Sequence, residues 1–180
     1  MPSPDNKIIF AGPVGAGKTT AIAAISDIEP VRTDAAASDM TLQRKGETTV
    51  ALDYGLLRLD QDCKVHLYGT PGQERFDFMW EIISRGGIGL VLLLDNTRPN
   101  PVKDLQFFLK AFQPLLRQAP LVIGVSKTDL KREPDVESYA LLLARFGMRP
   151  PVFEVDCRRR EDVKQLVLAL LYSLDPGLEA

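Results

Sequence analysis

Gly12-Pro13-Val14-Gly15-Ala16-Gly17-Lys18-Thr19 follows directly on the apolar run Lys7-Ile8-Ile9-Phe10-Ala11 and leads through Thr20 into an Ala- and Ile-rich segment. A strand pattern, a G-x-x-x-x-G-K-T turn and a helix pattern in that order form a phosphate-binding loop. The glycines let backbone N–H groups converge without Cβ obstruction. Those groups and the following helix N-terminus make a concave positive site for phosphate oxygens. Within it Lys18 is expected to reach the β- and γ-phosphates as a point charge, and the Thr19 hydroxyl to ligate Mg2+. Residues Gly12 to Thr20 are therefore the first expected part of a nucleoside di- or triphosphate site.

Outward from this loop the chain alternates apolar runs with amphipathic segments, the rhythm of an α/β protein. Ile88 to Leu94, Leu121 to Val125 and Val152 to Val155 are continuous apolar runs, as parallel strands buried on both faces require. Thr49 to Arg58 and Cys63 to Leu67 read as a hairpin joined through Asp60-Gln61-Asp62, and as the only antiparallel neighbours. With the strand before the loop this predicts a six-stranded, mostly parallel sheet with one antiparallel strand, flanked by helices. Helix starts are legible at Asn100-Pro101, at Pro134-Asp135 and at Glu161, which opens a helix running to Leu174. Asp27 to Glu47 shows no sustained period and reads as a long functional loop with room for a short helix or strand. Phe107, Phe108 and Phe112, and the leucines from Leu166 to Leu174, read as core.

Composition narrows the classes. With 180 residues, 45% of them hydrophobic, the chain is expected to be one domain over 1–180. A net charge of −2 supplies no basic field, so nucleic acid is not an expected partner, and Arg158-Arg159-Arg160 is too short to change that. Cys63 and Cys157 are too far apart in sequence for a C-x-x-C pair, so neither a disulfide framework nor a zinc site is indicated. No signal segment, lipidation motif or ~20-residue apolar span is present, which leads to the expectation of a cytoplasmic protein without its own membrane anchor. His66, the only histidine, lies in a strand pattern and reads as structural.

Leu67-Tyr68-Gly69-Thr70-Pro71-Gly72-Gln73-Glu74-Arg75-Phe76 adds a glycine and a glutamine just beyond a strand. Here the chain resembles the Ras-like small GTPases, in which that Gly contacts the γ-phosphate and that Gln orients the attacking water. The resemblance implies a three-layer P-loop NTPase fold, GTP and GDP as ligands, Mg2+ as cofactor, and catalytic roles for Lys18 and Gln73. It places the Mg2+-binding switch threonine at Thr49, with Thr48 as its neighbour and competitor. Ser126-Lys127-Thr128-Asp129 resembles the base-recognition motif N-K-x-D. Asp129 would accept hydrogen bonds from guanine, and the Lys127 stem would lie along the base. Asp156-Cys157-Arg158 stands where the family has S-A-K, so that the Cys157 N–H would face guanine O6.

Three departures matter. Gly69 replaces an aspartate that holds a water on Mg2+, which implies a weaker metal site. Ser126 replaces an asparagine, which implies loss of a bridge between base and phosphate loop. The interval from Lys18 to Thr49 is long, leaving Arg44 in an extended first switch as a candidate cation acting in cis on the transferred phosphate, with Arg75 behind it. These departures resemble the bacterial gliding-motility and conservon type, whose partner is a roadblock-domain homodimer. The expected function is thus a slow GTPase that acts as a partner-regulated switch with an unassigned effector. An ATP-dependent P-loop phosphotransferase and a non-hydrolysing nucleotide-bound scaffold are the alternatives.

Overall fold

Among the described residues seven strands form one sheet in the order β2-β3-β4-β1-β5-β6-β7. They are β1 Asn6–Ala11, β2 Val31–Ala36, β3 Thr49–Arg58, β4 Lys64–Gly69, β5 Gly87–Asp95, β6 Leu121–Ser126 and β7 Val152–Val155. The helices are α1 Lys18–Ile25, α2 Asp77–Ser84, α3 Pro101–Ala111, α4 Gln113–Leu116, α5 Val136–Arg145 and α6 Arg160–Leu174. This computed structural model describes residues 6–36, 49–72 and 77–175.

β1 lies parallel between β4 and β5, and β6 and β7 continue the parallel part. β3 is the antiparallel strand, as expected, but it is antiparallel to two neighbours, β4 and β2. The sheet therefore has seven strands instead of six, and the β3/β4 hairpin is not the only antiparallel pairing. The added strand comes from the stretch read as a long loop, with Val31 opposite Tyr54 and Ala36 opposite Thr49. V-R-T-D-A-A carries no run of apolar or alternating residues, and an edge strand is held by main-chain hydrogen bonds to one neighbour, which leave little imprint on side-chain choice. Helix α2, immediately before β5, is also absent from the sequence reading.

The apolar runs are continuous because alternate residues serve opposite faces. Ile8 and Phe10 of β1 and Val91 and Leu93 of β5 pack in one core with Ile22 of α1 and Leu166 and Leu170 of α6. Ile9, Leu90, Leu92 and Leu94 pack in a second core with Trp80 of α2, Phe108 of α3 and Tyr139 of α5. Three layers result. Phe108 and Phe112 are buried as expected, and Leu174 is exposed. Asn100 caps α3 by accepting the Lys103 N–H at 3.0 Å, and Asp135 caps α5 by accepting the Ser138 N–H at 2.8 Å. Among the described residues no helix is long and apolar enough to cross a membrane.

Candidate functional site

The loop between β1 and α1 takes the shape that phosphate binding needs. Gly12 has φ of 143°, and a Cβ there would lie 2.1 Å from the Leu93 carbonyl oxygen, so any other residue would push the loop off β5. Lys18 opens α1 and turns its Nζ back into the loop, donating to Gly12 O at 2.6 Å and Pro13 O at 2.8 Å. Burial pushes this ammonium down to about 8, opposed by the nearby Asp53 charge. A partly dehydrated cation whose hydrogen bonds go to neutral carbonyls gains strongly when a phosphate anion arrives.

The Gly72 segment crosses the loop mouth. A Cβ on Gly72 would meet Val14 N at 2.5 Å and Lys18 Nζ at 2.8 Å, which brings this backbone to the place where the end of a phosphate chain would lie. Hydrogen bonds hold the segment there: the Thr70 N–H and hydroxyl donate to Phe10 O at 2.9 and 3.2 Å, and the Trp80 Nε1–H donates to Pro71 O at 2.8 Å. Trp80 was missed in the sequence because its partner is a carbonyl fixed by the turn. Gln73, Arg75 and Arg44 lie outside the described residues. Thr49 opens β3, and its backbone alone is described.

Beyond the loop, at the C-terminal ends of β6 and β7, lies a cleft of about 730 Å3 lined by Gly15, Thr20, Lys127, Asp129, Cys157 and Arg158 among others. Ligands of parallel α/β sheets bind at this end of the strands. The Ser126 hydroxyl lies 2.9 Å from Ala16 O and 3.0 Å from Leu94 O, and so ties β6 to the phosphate loop. A hydroxyl has one proton to share between those two acceptors, whereas an amide has two. Lys127, at φ 60°, donates to Asp95 Oδ2 at 2.6 Å. Burial pushes Asp95 up, but hydrogen bonds from Lys127 and Thr97 outweigh it and hold the carboxyl below its ordinary value. The Lys127 stem is thereby laid along one wall of the cleft. Asp129 is exposed at its rim.

On the opposite wall Arg158 grips Asp156 through Nε at 2.8 Å and a second guanidinium nitrogen at 2.7 Å. These hydrogen bonds hold Asp156 down to about 2. Cys157 is buried, its Sγ within 3.7 Å of Ala16 O, and burial pushes the thiol up to about 11. It is a packing residue with no thiolate chemistry at neutral pH. Arg159 and Arg160 pair with Asp162 at 3.8 Å and Asp27 at 2.9 Å. With Arg158 on Asp156, each guanidinium of this run has a carboxylate beside it.

Asn96 is a second residue that the sequence reading missed. Fully buried, it donates to Lys131 O at 2.7 Å and Pro134 O at 3.0 Å and accepts the Tyr139 hydroxyl at 2.7 Å. It thus shapes the segment after β6 that carries Asp129. Asn96→Ala is expected to cost roughly 2–4 kcal/mol in urea unfolding, because the buried Tyr139 hydroxyl and two partly buried carbonyls lose a partner. The same variant is expected to weaken base-dependent nucleotide binding more than binding of inorganic triphosphate.

Toward β3 the Thr19 hydroxyl donates to Asp53 Oδ2 at 2.5 Å. Among the described residues no group of three His, Cys, Asp or Glu side chains is placed to hold a metal by itself. Mg2+ does not require one, since it takes one or two protein oxygens and completes its shell with phosphate and water. The hydroxyl and carboxylate beside the loop are hard oxygen donors and fit that ion. His66 behaves as the strand residue expected, with Nδ1 2.8 Å from the Tyr54 hydroxyl.

A model of the family described as conserved hypothetical ATP binding protein matches residues 10–175. The chain belongs to this family. The match runs from β1 to the end of α6 and so includes the loop, the Gly72 segment and the whole cleft. An uncharacterized protein of Methanocaldococcus jannaschii, MJ1339, is 31% identical over 130 residues, 72% of this chain and 75% of that protein. Ras-related protein RABE1e of Arabidopsis thaliana is 22% identical over 172 residues, covering 91% of this chain and 72% of the relative. Ras-related protein SEC4 of Saccharomyces cerevisiae is 24% identical over 128 residues, covering 68% and 59%. Membership, loop geometry and cleft together make this chain a P-loop nucleotide-binding protein of Ras-like type.

Proposed function

We propose that the protein binds GTP with Mg2+, hydrolyses it slowly to GDP, and works as a conformational switch regulated by a partner protein. The observation that carries the choice of base is the exposed carboxylate of Asp129 at the rim of the cleft beside the Lys127 wall. A carboxylate offers two acceptors, matching the N1–H and exocyclic amine of guanine. Adenine does not present that pair of donors. The family description speaks of ATP, and an ATP-dependent phosphotransferase is the second reading; the Asp129 carboxylate weighs against it.

In the first reading Lys18 binds the β- and γ-phosphate oxygens, and the Gly72 N–H and Gln73 serve the γ-phosphate and the attacking water. Thr19 and Thr49 are the Mg2+ ligands, and Arg44 is the candidate cation in cis. When bound, Mg2+ neutralises charge that develops on the phosphate oxygens. The work of the chain is positioning and electrostatics, with no strong base required. The regulator is proposed to be a roadblock-type protein, and the setting the cytoplasm.

Calorimetric titration of nucleotide-free protein with GDP and with ADP, both with Mg2+, tests the base. GDP is expected to bind on the order of 100-fold or more tighter than ADP, since leaving the Asp129 carboxylate unpaired is costly. Tighter binding of ADP would overturn the guanine reading and put the phosphotransferase first.

A further inference from the structure

A second recess lies away from the nucleotide cleft. It measures about 430 Å3 and is bounded by Leu109 and Lys110 of α3, Leu116 at the end of α4, Arg117, and Phe146 and Met148 after α5. β6 begins at Leu121 and β7 at Val152, shortly after Arg117 and Met148, so this groove lies where those strands start, whereas the nucleotide cleft lies where they end. Its apolar lining is not sealed, since Phe146 is 54% exposed. Its charge is of one sign. Lys110 and Arg117 line it, and Arg145 and Arg149, exposed like them, are the sequence neighbours of Phe146 and Met148. No described Asp or Glu lines the groove, and among the described residues none of these four cations has an ion-pair partner. Lys110 and Arg145 stand in the last turns of α3 and α5, where a helix end favours a cation. Arg149, between α5 and β7, gains nothing of that kind.

We propose that this groove is a docking site for an acidic segment of a partner protein that carries a bulky apolar anchor. The anchor enters between α3 and the turn after α5 and covers Phe146, while carboxylates on either side of it meet Lys110, Arg117, Arg145 and Arg149. Aromatic, Met and Arg side chains together are the composition of interface centres. Charge complementarity then decides which segment is admitted, because a basic one is repelled by four cations that no carboxylate of this groove neutralises. The chain's net charge of −2 gives no general attraction for anions, so the selection is local to this face. A bilayer surface takes up protruding apolar side chains and does not reach into a recess between helices. A partner seated here leaves the nucleotide cleft open, and the proposal stands whichever nucleotide that cleft takes.

A phage-displayed library of random peptides selected on the full chain tests this, with the enriched sequences made as fluorescent peptides and titrated by anisotropy. The expected consensus is a large apolar residue among Asp and Glu. Arg117→Glu combined with Arg149→Glu is expected to weaken these peptides by about tenfold or more, as two attractions become repulsions. Phe146→Ser removes apolar cover without changing charge, and is expected to weaken them by a similar ~10-fold. Raising NaCl from about 50 to about 500 mM is expected to weaken binding several-fold. The substituted side chains are exposed, so the urea midpoint is expected to hold; should Phe146→Ser lower it, the charge reversal alone decides. A library that enriches nothing, a basic consensus, or peptides that bind the charge-reversed protein as well as the unsubstituted one would overturn the proposal. So would sedimentation with phosphatidylserine vesicles that the charge reversal abolishes, since the occupant would then be a membrane.

Discussion

Lys18→Met is expected to weaken nucleotide binding by about 10²- to 10⁴-fold, the loss of two charge-assisted hydrogen bonds at roughly 1.5–3 kcal/mol each. The substitution keeps the aliphatic bulk that fills the loop and removes the ammonium that donates to Gly12 O and Pro13 O. Titration calorimetry of both proteins with the same nucleotide measures the difference. An affinity within about threefold of the unsubstituted protein would show that the backbone N–H groups carry the phosphate without the lysine.

The same residue sets a pH dependence with a definite sign. In the nucleotide-free protein Lys18 titrates near 8, below its ordinary 10.5. Bound phosphate favours the charged form and raises that value. Below pH 8 the lysine is already charged and contributes no slope. Above it the protein must take up a proton to bind, so affinity falls by up to about tenfold per pH unit. In Lys18→Met this alkaline slope disappears. Stability of the nucleotide-free protein has the opposite sign over the same window, because the unfolded chain holds the Lys18 proton that the folded chain has lost. Lys18 therefore makes stability rise from pH 8 toward 10.5.

Asp129→Asn carries the second large expectation: a loss of guanine-nucleotide affinity on the order of 10²- to 10³-fold, with inorganic triphosphate binding unchanged. Two donors on guanine need two acceptors, and an amide supplies one acceptor and one donor, so one contact turns repulsive. A base with a carbonyl in place of the exocyclic amine, as in xanthosine diphosphate, is expected to bind the variant better than it binds the unsubstituted protein. Competition titrations with GDP, xanthosine diphosphate and ADP read this directly. If Asp129→Asn leaves the GDP affinity unaltered, the base is not read at Asp129.

How far these expectations were legible before folding depends on the range of the interaction involved. The phosphate loop was readable because its glycines answer a local backbone demand, and β5 and β6 because burial on two faces forces unbroken apolar runs. Asn100 and Asp135 were readable as caps because the groups they satisfy are three residues away. The Ras-like order of motifs placed Asp129 and Cys157 on one cleft, and the ends of β6 and β7 do bring them there.

The other contacts span the sheet. Val31–Ala36 became a strand because β3 offered an open edge. Asn96 meets Lys131, Pro134 and Tyr139, 35 to 43 residues away. Ser126 meets Ala16 across 110 residues. The pairing of Asp53 with Thr19 is a matter of register, and a slip of one residue would turn Asp53 to the other face of the sheet. Periodicity and capping are properties of neighbouring residues and can be read along a chain. Register and cross-strand reach are set by how seven strands settle against two cores, and they appear only once the sheet has formed.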